Sequence, residues 1–406
     1  VRVVFLEIKR WPRHSMEEKL RPKIVCLSNA FDQHYHDVRG EKVERCLTAS
    51  FRRELFSCLE MASGRELIVL SVPPKAQERR AGRWLPAVET KFATHRQLFC
   101  ANWDVPKLRI PLAWIFYARH VLRHVCSGDL VVIDNYEFVY IVAARLLGVF
   151  RRVTFVLAYL DGKHLIDRSI WRVLSWLAET WGRPLLSGAL LSNPALGKRL
   201  PHSVPKELVP GFVTGKLPLE RAAPDKEVRF IYAGALDHPH GTNLLLESLS
   251  HLPERGWRLL IAGQGPLTEH VARFAQDPRW RGRVEHQYPP SAEIFNQWLS
   301  ASHVGLNCQR TSDPASGVTF PSKVFTYLSA GLLVISSKAG GGDQICGNAC
   351  CYYDEETPQS LANAMKKVIS DFSAVRQSLD LTAVSDRYSI EATTARLRRM
   401  LQTIEG

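Results

Sequence analysis

The residues best suited to chemistry lie in the segment Pro321-Ser322-Lys323, which opens a predicted helix. Proline suits the first turn of a helix, the Ser322 hydroxyl can donate a hydrogen bond, and Lys323 adds a positive charge beside unpaired backbone amides. Together these groups suit an anion with several oxygens, such as a diphosphate. The segment therefore predicts a diphosphate-binding turn, and the alternative is an ordinary helix with a surface lysine.

Glycines mark two further loops, each placed where a predicted strand ends. Gly234 and Gly241 bracket the loop after one apolar run, and Gly263 and Gly265 follow the next. In open α/β sheets, ligands bind beyond the carboxyl ends of the strands, where backbone amides can approach an anion. Each loop alone is weak evidence because glycine commonly ends strands, but the set favours a nucleotide-binding edge.

A loop near the start of the chain concentrates acids and histidines after the first complete predicted strand: Asp32, His34, His36 and Asp37. Loops after strands face the ligand-binding edge, so these side chains could orient the hydroxyl of an acceptor. The alternative is an Asp/His metal site, although one short segment would have to supply all its ligands. We predict acceptor binding for these four residues and no metal site.

The first half of the chain predicts one doubly wound α/β unit that positions this loop. Short apolar runs alternate with helical patterns, as is typical of a parallel sheet covered by helices. The predicted strands are 23–28, 66–72, 129–135, 153–159 and 188–193, and the predicted helices are 39–59, 111–126, 137–148 and 168–181. Residues 73–107 are polar and predict an excursion with one short strand near 97–101.

A second α/β unit follows a stretch with the composition of a linker. Its predicted strands are 228–234, 258–263, 283–288, 303–308, 332–337 and 349–353, and its predicted helices are 242–251, 266–276, 291–301, 321–330 and 358–372. We therefore divide the 406 residues into a first domain at 1–210, a linker at 211–227, a second domain at 228–388 and a terminal helix at 389–406.

The net charge of +13 lies in the first half of the chain, because residues 1–210 hold 33 Lys and Arg against 20 Asp and Glu, whereas residues 211–406 hold 20 of each. Such an excess favours an anionic partner, for which phospholipid headgroups, a lipid-linked pyrophosphate and nucleic acid all qualify, and the alternative is a solvated basic surface. The predicted helix 168–181 carries tryptophans beside arginines, which suits peripheral contact with a membrane as well as ordinary packing.

No apolar run is long enough to span a bilayer, and the apolar start of the chain contains Arg2 and Glu7, unlike a signal peptide. We therefore expect a cytoplasmic protein that can lie at the inner face of the membrane. The nine cysteines include no C-x-x-C pair, which argues against a disulfide framework or a structural zinc site. A nicotinamide dehydrogenase is disfavoured because no complete G-x-G-x-x-G motif follows a predicted strand.

Several segments of the second half closely resemble, in order and spacing, the donor domain of group 1 (family 4) glycosyltransferases. They are Tyr232–Gly234 with Gly241, Leu260–Leu267, Pro321–Gly331 and Gly340–Asp343. The resemblance is strong over about 228–372 and architectural alone over 23–210. It implies the GT-B fold, in which two Rossmann-like domains face a central cleft, with the nucleotide-sugar in the second domain and the acceptor in the first. It also implies retention of anomeric configuration and a reaction that needs no metal ion or other cofactor.

The resemblance also implies residue roles. The family has a His or Asp near the donor sugar where this chain has Asp161 and His164, which are therefore our candidate catalytic residues; a turn with a solvent histidine is the alternative. The predicted donor-binding residues are Gly234, His240, Gly241, Gly263, Gly265, Gly317, Val318, Thr319, Ser322, Lys323 and Thr326.

This chain departs from the family at four of its donor-site positions. Ala235 and His240 replace an arginine and a lysine that grip the diphosphate, and Val318 and Thr326 replace a pair of glutamates, one of which clamps the ribose. We expect ribose binding to be weaker or built differently, and diphosphate recognition to depend mainly on Lys323.

Taken together, the sequence predicts a glycosyltransferase that moves a sugar from a UDP-, GDP- or ADP-linked donor to a glycan or lipid-linked saccharide in polysaccharide or glycoconjugate biosynthesis. The expected partners are this donor, the acceptor and an anionic membrane surface, without a nucleic acid polymer. Two alternatives stay open: a nucleotide-sugar 2-epimerase, which shares the architecture, and a degenerate, non-catalytic partner subunit.

Overall fold

The computed structural model describes residues 21–29, 49–72, 83–91, 95–105, 108–162, 165, 171–214, 223–224, 226–288 and 291–406. They form two main β-sheets, one in each half of the chain, with helices packed against both. The predicted α/β class with parallel sheets is therefore confirmed.

The first sheet has eight strands in the order β10-β9-β8-β7-β1-β2-β5-β4. Its central strands are fully buried and rich in Val, Ile and Leu, the composition of parallel strands covered on both faces. The strands are β1 (Ile24–Leu27), β2 (Leu67–Ser71), β4 (Val88–Lys91), β5 (Arg96–Phe99), β7 (Leu130–Asp134), β8 (Thr154–Tyr159), β9 (Leu186–Leu191) and β10 (Lys206–Leu208).

The arginine-rich excursion contains more structure than its sequence predicted. β5 extends the sheet in parallel with β2, and β4 returns antiparallel to β5 at the edge. A separate two-stranded sheet pairs β3 (Arg83–Leu85) with β6 (Asn102–Asp104). These strands lack clear alternation of apolar and polar residues because they are short and lie at or beyond the sheet edge.

Helices of the first half are α1 (Ala49–Ser63), α2 (Arg109–His124), α3 (Phe138–Phe150), α4 (Trp171–Gly182) and the short α5 (Pro194–Gly197). α2 packs against α3, and α3 packs against α4, so these three helices form a layer. The described part of the predicted 39–59 helix is α1, which continues to Ser63.

The second sheet has six parallel strands in the order β13-β12-β11-β14-β15-β16. They are β11 (Val228–Ala233), β12 (Trp257–Ala262), β13 (Val284–Gln287), β14 (Val304–Asn307), β15 (Leu333–Ser336) and β16 (Cys351–Tyr352). The helices are α6 (Thr242–Ser248), α7 (Thr268–Gln276), α8 (Ala292–Ala301), α9 (Lys323–Ser329), α10 (Gly342–Cys346), α11 (Pro358–Ser370), α12 (Phe372–Gln377) and α13 (Leu381–Tyr388).

The terminal helix α14 (Ile390–Glu405) returns to the first half of the chain and packs against α1. Arg396 donates through Nε to Glu207 at 2.6 Å, and Arg398 donates to the backbone carbonyls of Met61 and Ala62 at 3.0 and 3.2 Å. Arginines on the polar side of the predicted helix thus hold it to the first sheet's layer. Within the described part of the chain, no helix combines the length and apolar composition needed to cross a bilayer.

Candidate functional site

Lys323 lies at the point where the strand order of the second sheet reverses. The chain builds outward from β11 through β12 to β13, then starts again on the other side of β11 with β14. The crevice between the carboxyl ends of β11 and β14 is the place where open α/β sheets bind ligands. Lys323 Nζ reaches it from the first residue of α9, at 4.2 Å from the ring centroid of Tyr232 in β11.

Tyr327 fixes the position of α9 against this crevice. Its buried hydroxyl accepts from the Ala233 amide at 2.7 Å and donates to the Leu306 carbonyl at 3.4 Å, which ties α9 to β11 and β14. Because residues four apart share one helix face, the same attachment directs Lys323 toward the strand ends. α9 begins at Lys323, so Pro321 precedes the helix and does not form its first turn.

The Lys323 ammonium group is buried and has no hydrogen-bond partner among the described residues. A Cβ built on Gly234 would lie 3.0 Å from Nζ, so the glycine leaves the space that the amine approaches. Burial lowers the pKa of Lys323 to about 8, although Cys308 and Asp237 act in the opposite direction. A buried cation costs free energy unless it is paired, and an anion in the crevice would supply that partner.

The loop from residue 234 to residue 241 is held in shape by its own polar groups. The Tyr232 hydroxyl donates to the carbonyls of Ala235 at 2.8 Å and His240 at 3.2 Å. Asp237 Oδ1 accepts from the His240 amide at 2.9 Å and lies 2.7 Å from His240 Nδ1. His240 is thus held by Asp237 within this loop.

Position 241 requires a glycine because two loops approach each other closely there. Its φ of 76° is left-handed, and a Cβ there would lie 1.8 Å from the Cys308 carbonyl oxygen. Gly263 and Gly265 lie similarly close to the backbone of Gly234 and Leu236. These glycines therefore pack neighbouring loops together at the crevice, and their contact with a nucleotide stays a prediction.

Residues 318 and 319 of the second half lie in contact with loops of the first half. The Val318 carbonyl accepts from the Gly162 amide at 3.0 Å, and the Thr319 carbonyl accepts from Asn193 Nδ2 at 3.1 Å. A Cβ on Gly162 would lie 2.6 Å from Val318 Cβ. Val318 and Thr319 thus meet loops of the first half through their backbones, and the Val318 side chain also packs against the core of that half.

Asp161 lies at this contact, next to Gly162, and is half-buried. Its backbone amide and that of Leu160 both donate to Asn135 Oδ1 at 2.8 Å. Asn135 follows β7 in a left-handed conformation with φ of 58° and donates through Nδ2 to Asp134 at 3.1 Å. Asp134 in turn accepts from Ser28 at 2.6 Å and Arg52 at 2.7 Å. A chain of buried polar contacts therefore sets the position of residues 160–162.

We predict that Asn135→Gly lowers kcat about tenfold while nucleotide affinity stays within about twofold, because one net hydrogen bond contributes up to about 1.5 kcal/mol. Glycine keeps the left-handed backbone, so the variant removes the two contacts to residues 160 and 161 without adding strain. Asn135→Asp, which keeps the accepting oxygens, is the matched control and should recover part of the loss. Unchanged turnover in Asn135→Gly would show that the loop needs no such support.

Arg310, a further cation in the loop after β14, is already engaged. Its guanidinium bonds to Glu356 and lies 2.9 Å from His238 Nδ1. Burial opposes ionisation of Glu356, but hydrogen bonds from the Ser312 backbone, Arg310 and the side chains of Ser312 and Thr311 lower its pKa to about 2. This network holds the 310–312 segment in place, so diphosphate recognition by Arg310 would require it to break.

No contact within the described part of the chain places the other predicted site residues in the crevice. The side chains of Ser322 and Thr326 are exposed, and Gly317 faces open space. His164 and the predicted acceptor residues Asp32, His34, His36 and Asp37 lie outside the described residues.

Three residues of the site escaped the sequence-based prediction: Tyr232, Asp237 and Asn135. The sequence pattern predicted Tyr232 to be one more buried strand residue. A buried tyrosine near the end of a strand nevertheless needs a partner for its hydroxyl. Asp237, three residues before His240, had the spacing of a local turn contact. Asn135 directly after an apolar strand was the available signal for a left-handed residue.

Comparison with known proteins agrees with the geometry of the crevice. Residues 227–371 match the family model described as Glycosyl transferases group 1. No curated protein sequence matches the chain. Among solved structures, sucrose-phosphate synthase from Thermosynechococcus elongatus is similar with a TM-score of 0.67 and 14% identity, over 95% of this chain and 99% of that one.

Two liganded structures are also similar. Anabaena HepE in complex with UDP and glucose has a TM-score of 0.64 and 14% identity, over 94% of this chain and 100% of that one. The catalytic domain of starch synthase IV from Arabidopsis thaliana, bound to ADP and acarbose, has a TM-score of 0.63 and 11% identity, over 95% and 100%. The predicted GT-B fold and the predicted enzyme class are thereby confirmed. Residues 227–371 form a group 1 glycosyltransferase domain within a chain that has the GT-B fold.

Proposed function

We propose that this protein transfers a glycosyl group from a nucleotide-sugar, bound at the β11–β14 crevice, to an acceptor held by the first half of the chain. The observation that carries the proposal is the buried Lys323 Nζ at the switch point of the sheet, which lies over the Tyr232 ring and has no hydrogen-bond partner in the described part of the chain. An isolated buried ammonium is costly, so its retention at a ligand-binding edge points to an anionic ligand. The diphosphate of a nucleotide-sugar is such an anion.

In the transfer, the bond between the anomeric carbon and the diphosphate oxygen breaks, and negative charge grows on that oxygen. Lys323 would stabilise this charge from a site largely closed to water, where a fixed cation acts most strongly. His240, oriented by Asp237, would donate from the opposite loop. The same anomeric carbon forms its new bond to the acceptor oxygen.

On the acceptor side, we assign Asp161 and His164 to contacts with the donor sugar or the reacting hydroxyl, and Asp32, His34, His36 and Asp37 to the acceptor. Support comes from the Asn135 contacts, which hold the Asp161 backbone at the junction of the two halves. We propose that the reaction retains the anomeric configuration and needs no metal ion. The domain division proposed from the sequence places the cleft between residues 1–210 and 228–388.

We propose further that the acceptor is a glycan or lipid-linked saccharide in polysaccharide or glycoconjugate biosynthesis. The enzyme would act in the cytoplasm, at the inner face of the membrane, because its excess of positive charge lies in residues 1–210. Similar structures hold UDP, UDP-glucose or ADP, so UDP- and ADP-sugars are the first donors to try.

Transfer is tested by incubating the protein with each nucleotide-sugar and a mixture of saccharide acceptors, and measuring the release of nucleoside diphosphate. We expect release that depends on acceptor and yields a product enlarged by one glycosyl unit. A free, rearranged sugar with no enlarged product would indicate an epimerase, and binding of the donor without any turnover would indicate a non-catalytic subunit.

We predict that Asp161→Asn lowers kcat about tenfold and leaves the dissociation constant for nucleoside diphosphate within about twofold, because its side chain acts on the acceptor side and contributes about one hydrogen bond. The variant keeps the size of the side chain, so the backbone contacts to Asn135 should persist. Wild-type turnover in Asp161→Asn would remove Asp161 from the catalytic set.

A further inference from the structure

Helices α2, α3 and α4 present large apolar side chains to solvent, and we name this surface the three-helix face. Its most exposed members include Val149 on α3 at 76% exposure, Ile115 on α2 at 64% and Trp176 on α4 at 61%. In the described part of the second sheet's half, Tyr288 is the sole exposed large apolar residue, at 37%. Contiguous exposed apolar surface of this kind marks an interaction site.

The three helices share one aromatic connection. Trp114 of α2 lies 4.9 Å from Phe138 of α3, and Phe138 lies 5.9 Å from Trp181 of α4, measured between ring centroids. Arg145 Nε donates to the Trp181 carbonyl at 2.7 Å, which fastens α4 to α3. The three helices therefore pack together as one layer that carries the face.

The charges of these helices are almost all positive. Their Lys, Arg, Asp and Glu side chains are five arginines and one acid, Glu179. Glu179 is buried and bonds to Arg183 and Arg199, so it adds no negative charge to the surface. Arg119, Arg123 and Arg172 are exposed. A face with exposed apolar side chains and unopposed arginines complements a surface that is apolar within and anionic outside.

We propose that the three-helix face is the surface by which this protein lies on an anionic phospholipid bilayer. Tryptophan suits the interfacial region because its ring is large and apolar and its indole N–H is polar, and arginine attracts anionic headgroups. The inference deepens the proposed function, since it names the surface that would bring the first half of the chain to a lipid-linked acceptor. The statement about the acceptor is the one part of this inference that rests on the proposed function.

The test measures co-sedimentation of the full chain with vesicles of phosphatidylcholine, with and without phosphatidylglycerol, at low and high salt. We expect binding to the mixed vesicles that weakens as salt rises, because exposed charges are screened over about 8 Å at physiological ionic strength. Trp176→Ala and Arg172→Glu should each weaken binding about tenfold. Both side chains are exposed, so the variants should unfold at the wild-type temperature.

Tyr288→Ala is the matched control, because it removes an exposed aromatic ring from the other half of the chain. It should leave vesicle binding unchanged. Equal binding to neutral and anionic vesicles, unchanged binding by Trp176→Ala, or a dimer in solution that Trp176→Ala dissociates would each overturn the proposal. Nucleoside diphosphate binding is measured on the same samples: its absence in the wild type would contradict the proposed function and leave the vesicle result to stand by itself.

Discussion

Lys323→Ala is expected to lower kcat/KM for the nucleotide-sugar by about 10- to 150-fold. Lys323 Nζ is buried at the switch point without a partner, and the usual cations of the family are replaced by Ala235 and His240. A hydrogen bond to a charged group contributes about 1.5–3 kcal/mol, and about 1.4 kcal/mol corresponds to a factor of ten. Steady-state kinetics with the cognate donor measure the loss.

Lys323→Met separates the charge from the packing, because methionine keeps an unbranched apolar chain of similar size. Removing a buried, unpaired ammonium should leave the free energy of unfolding of the ligand-free protein unchanged or raise it, while donor binding falls. Ser322→Ala removes an exposed neutral donor and should cost about 0.5–1.5 kcal/mol in donor binding, less than either lysine variant. Nucleotide affinity and turnover within about twofold of wild type in Lys323→Ala would make Lys323 a helix residue without a ligand.

The pH dependence of nucleotide binding gives an independent view of the same amine. Burial lowers the pKa of Lys323 to about 8 in the free protein, and a bound diphosphate would raise it. Below pH 8 the amine is already charged, and above it binding must take up a proton, so affinity should fall as pH rises past about 8. Calorimetry across this range should show the fall in the wild type and not in Lys323→Met.

Gly162→Ala is expected to lower kcat about a hundredfold with little change in nucleotide affinity. The new Cβ would lie 2.6 Å from Val318 Cβ in the other half of the chain, so the two halves must separate there by about 1 Å. A misplacement of about 1 Å can cost about a hundredfold in rate. The proposed diphosphate site around Lys323 lies on one side of this contact and should keep its affinity.

Gly148→Ala is the matched control, since a Cβ there would make ordinary contacts alone, the nearest at 3.7 Å from Phe155. It should keep kcat. Both variants should unfold at about the temperature of the wild-type protein. If Gly162→Ala turns over at the wild-type rate, the contact of Gly162 with Val318 does not position the reacting groups.

The order of strands and helices could be predicted because their apolar runs carry the period of buried parallel strands. Val131, Val132 and Ile133 of β7 are fully buried, as a continuous apolar run predicts. Edge strands such as β4 and the β3–β6 pair were missed, because few of their residues are buried and their pattern depends on neighbours far along the chain.

The sequence could predict which segment belongs to the candidate site, but it could not predict the contacts between the side chains there. The segment Pro321-Ser322-Lys323 could be singled out from its residue types, but local pattern gave no sign that Tyr232 lies below the Lys323 amine or that Asp237 orients His240. Such contacts arise where β11, β14 and their loops meet, and they join residues about 90 positions apart in the chain, as in the bond between Ala233 and Tyr327. The Asn135 contacts likewise depend on β7 and β8 being neighbours.

The most direct test of the central claim is calorimetric titration of UDP, GDP and ADP into the wild-type protein and Lys323→Met below pH 8. We predict one site per chain for at least one of the three nucleotides, with affinity lower by about 10- to 150-fold in Lys323→Met. Equal affinities in the two folded proteins, or no binding of any of the three by the wild type, would contradict the assignment of the β11–β14 crevice as the diphosphate site.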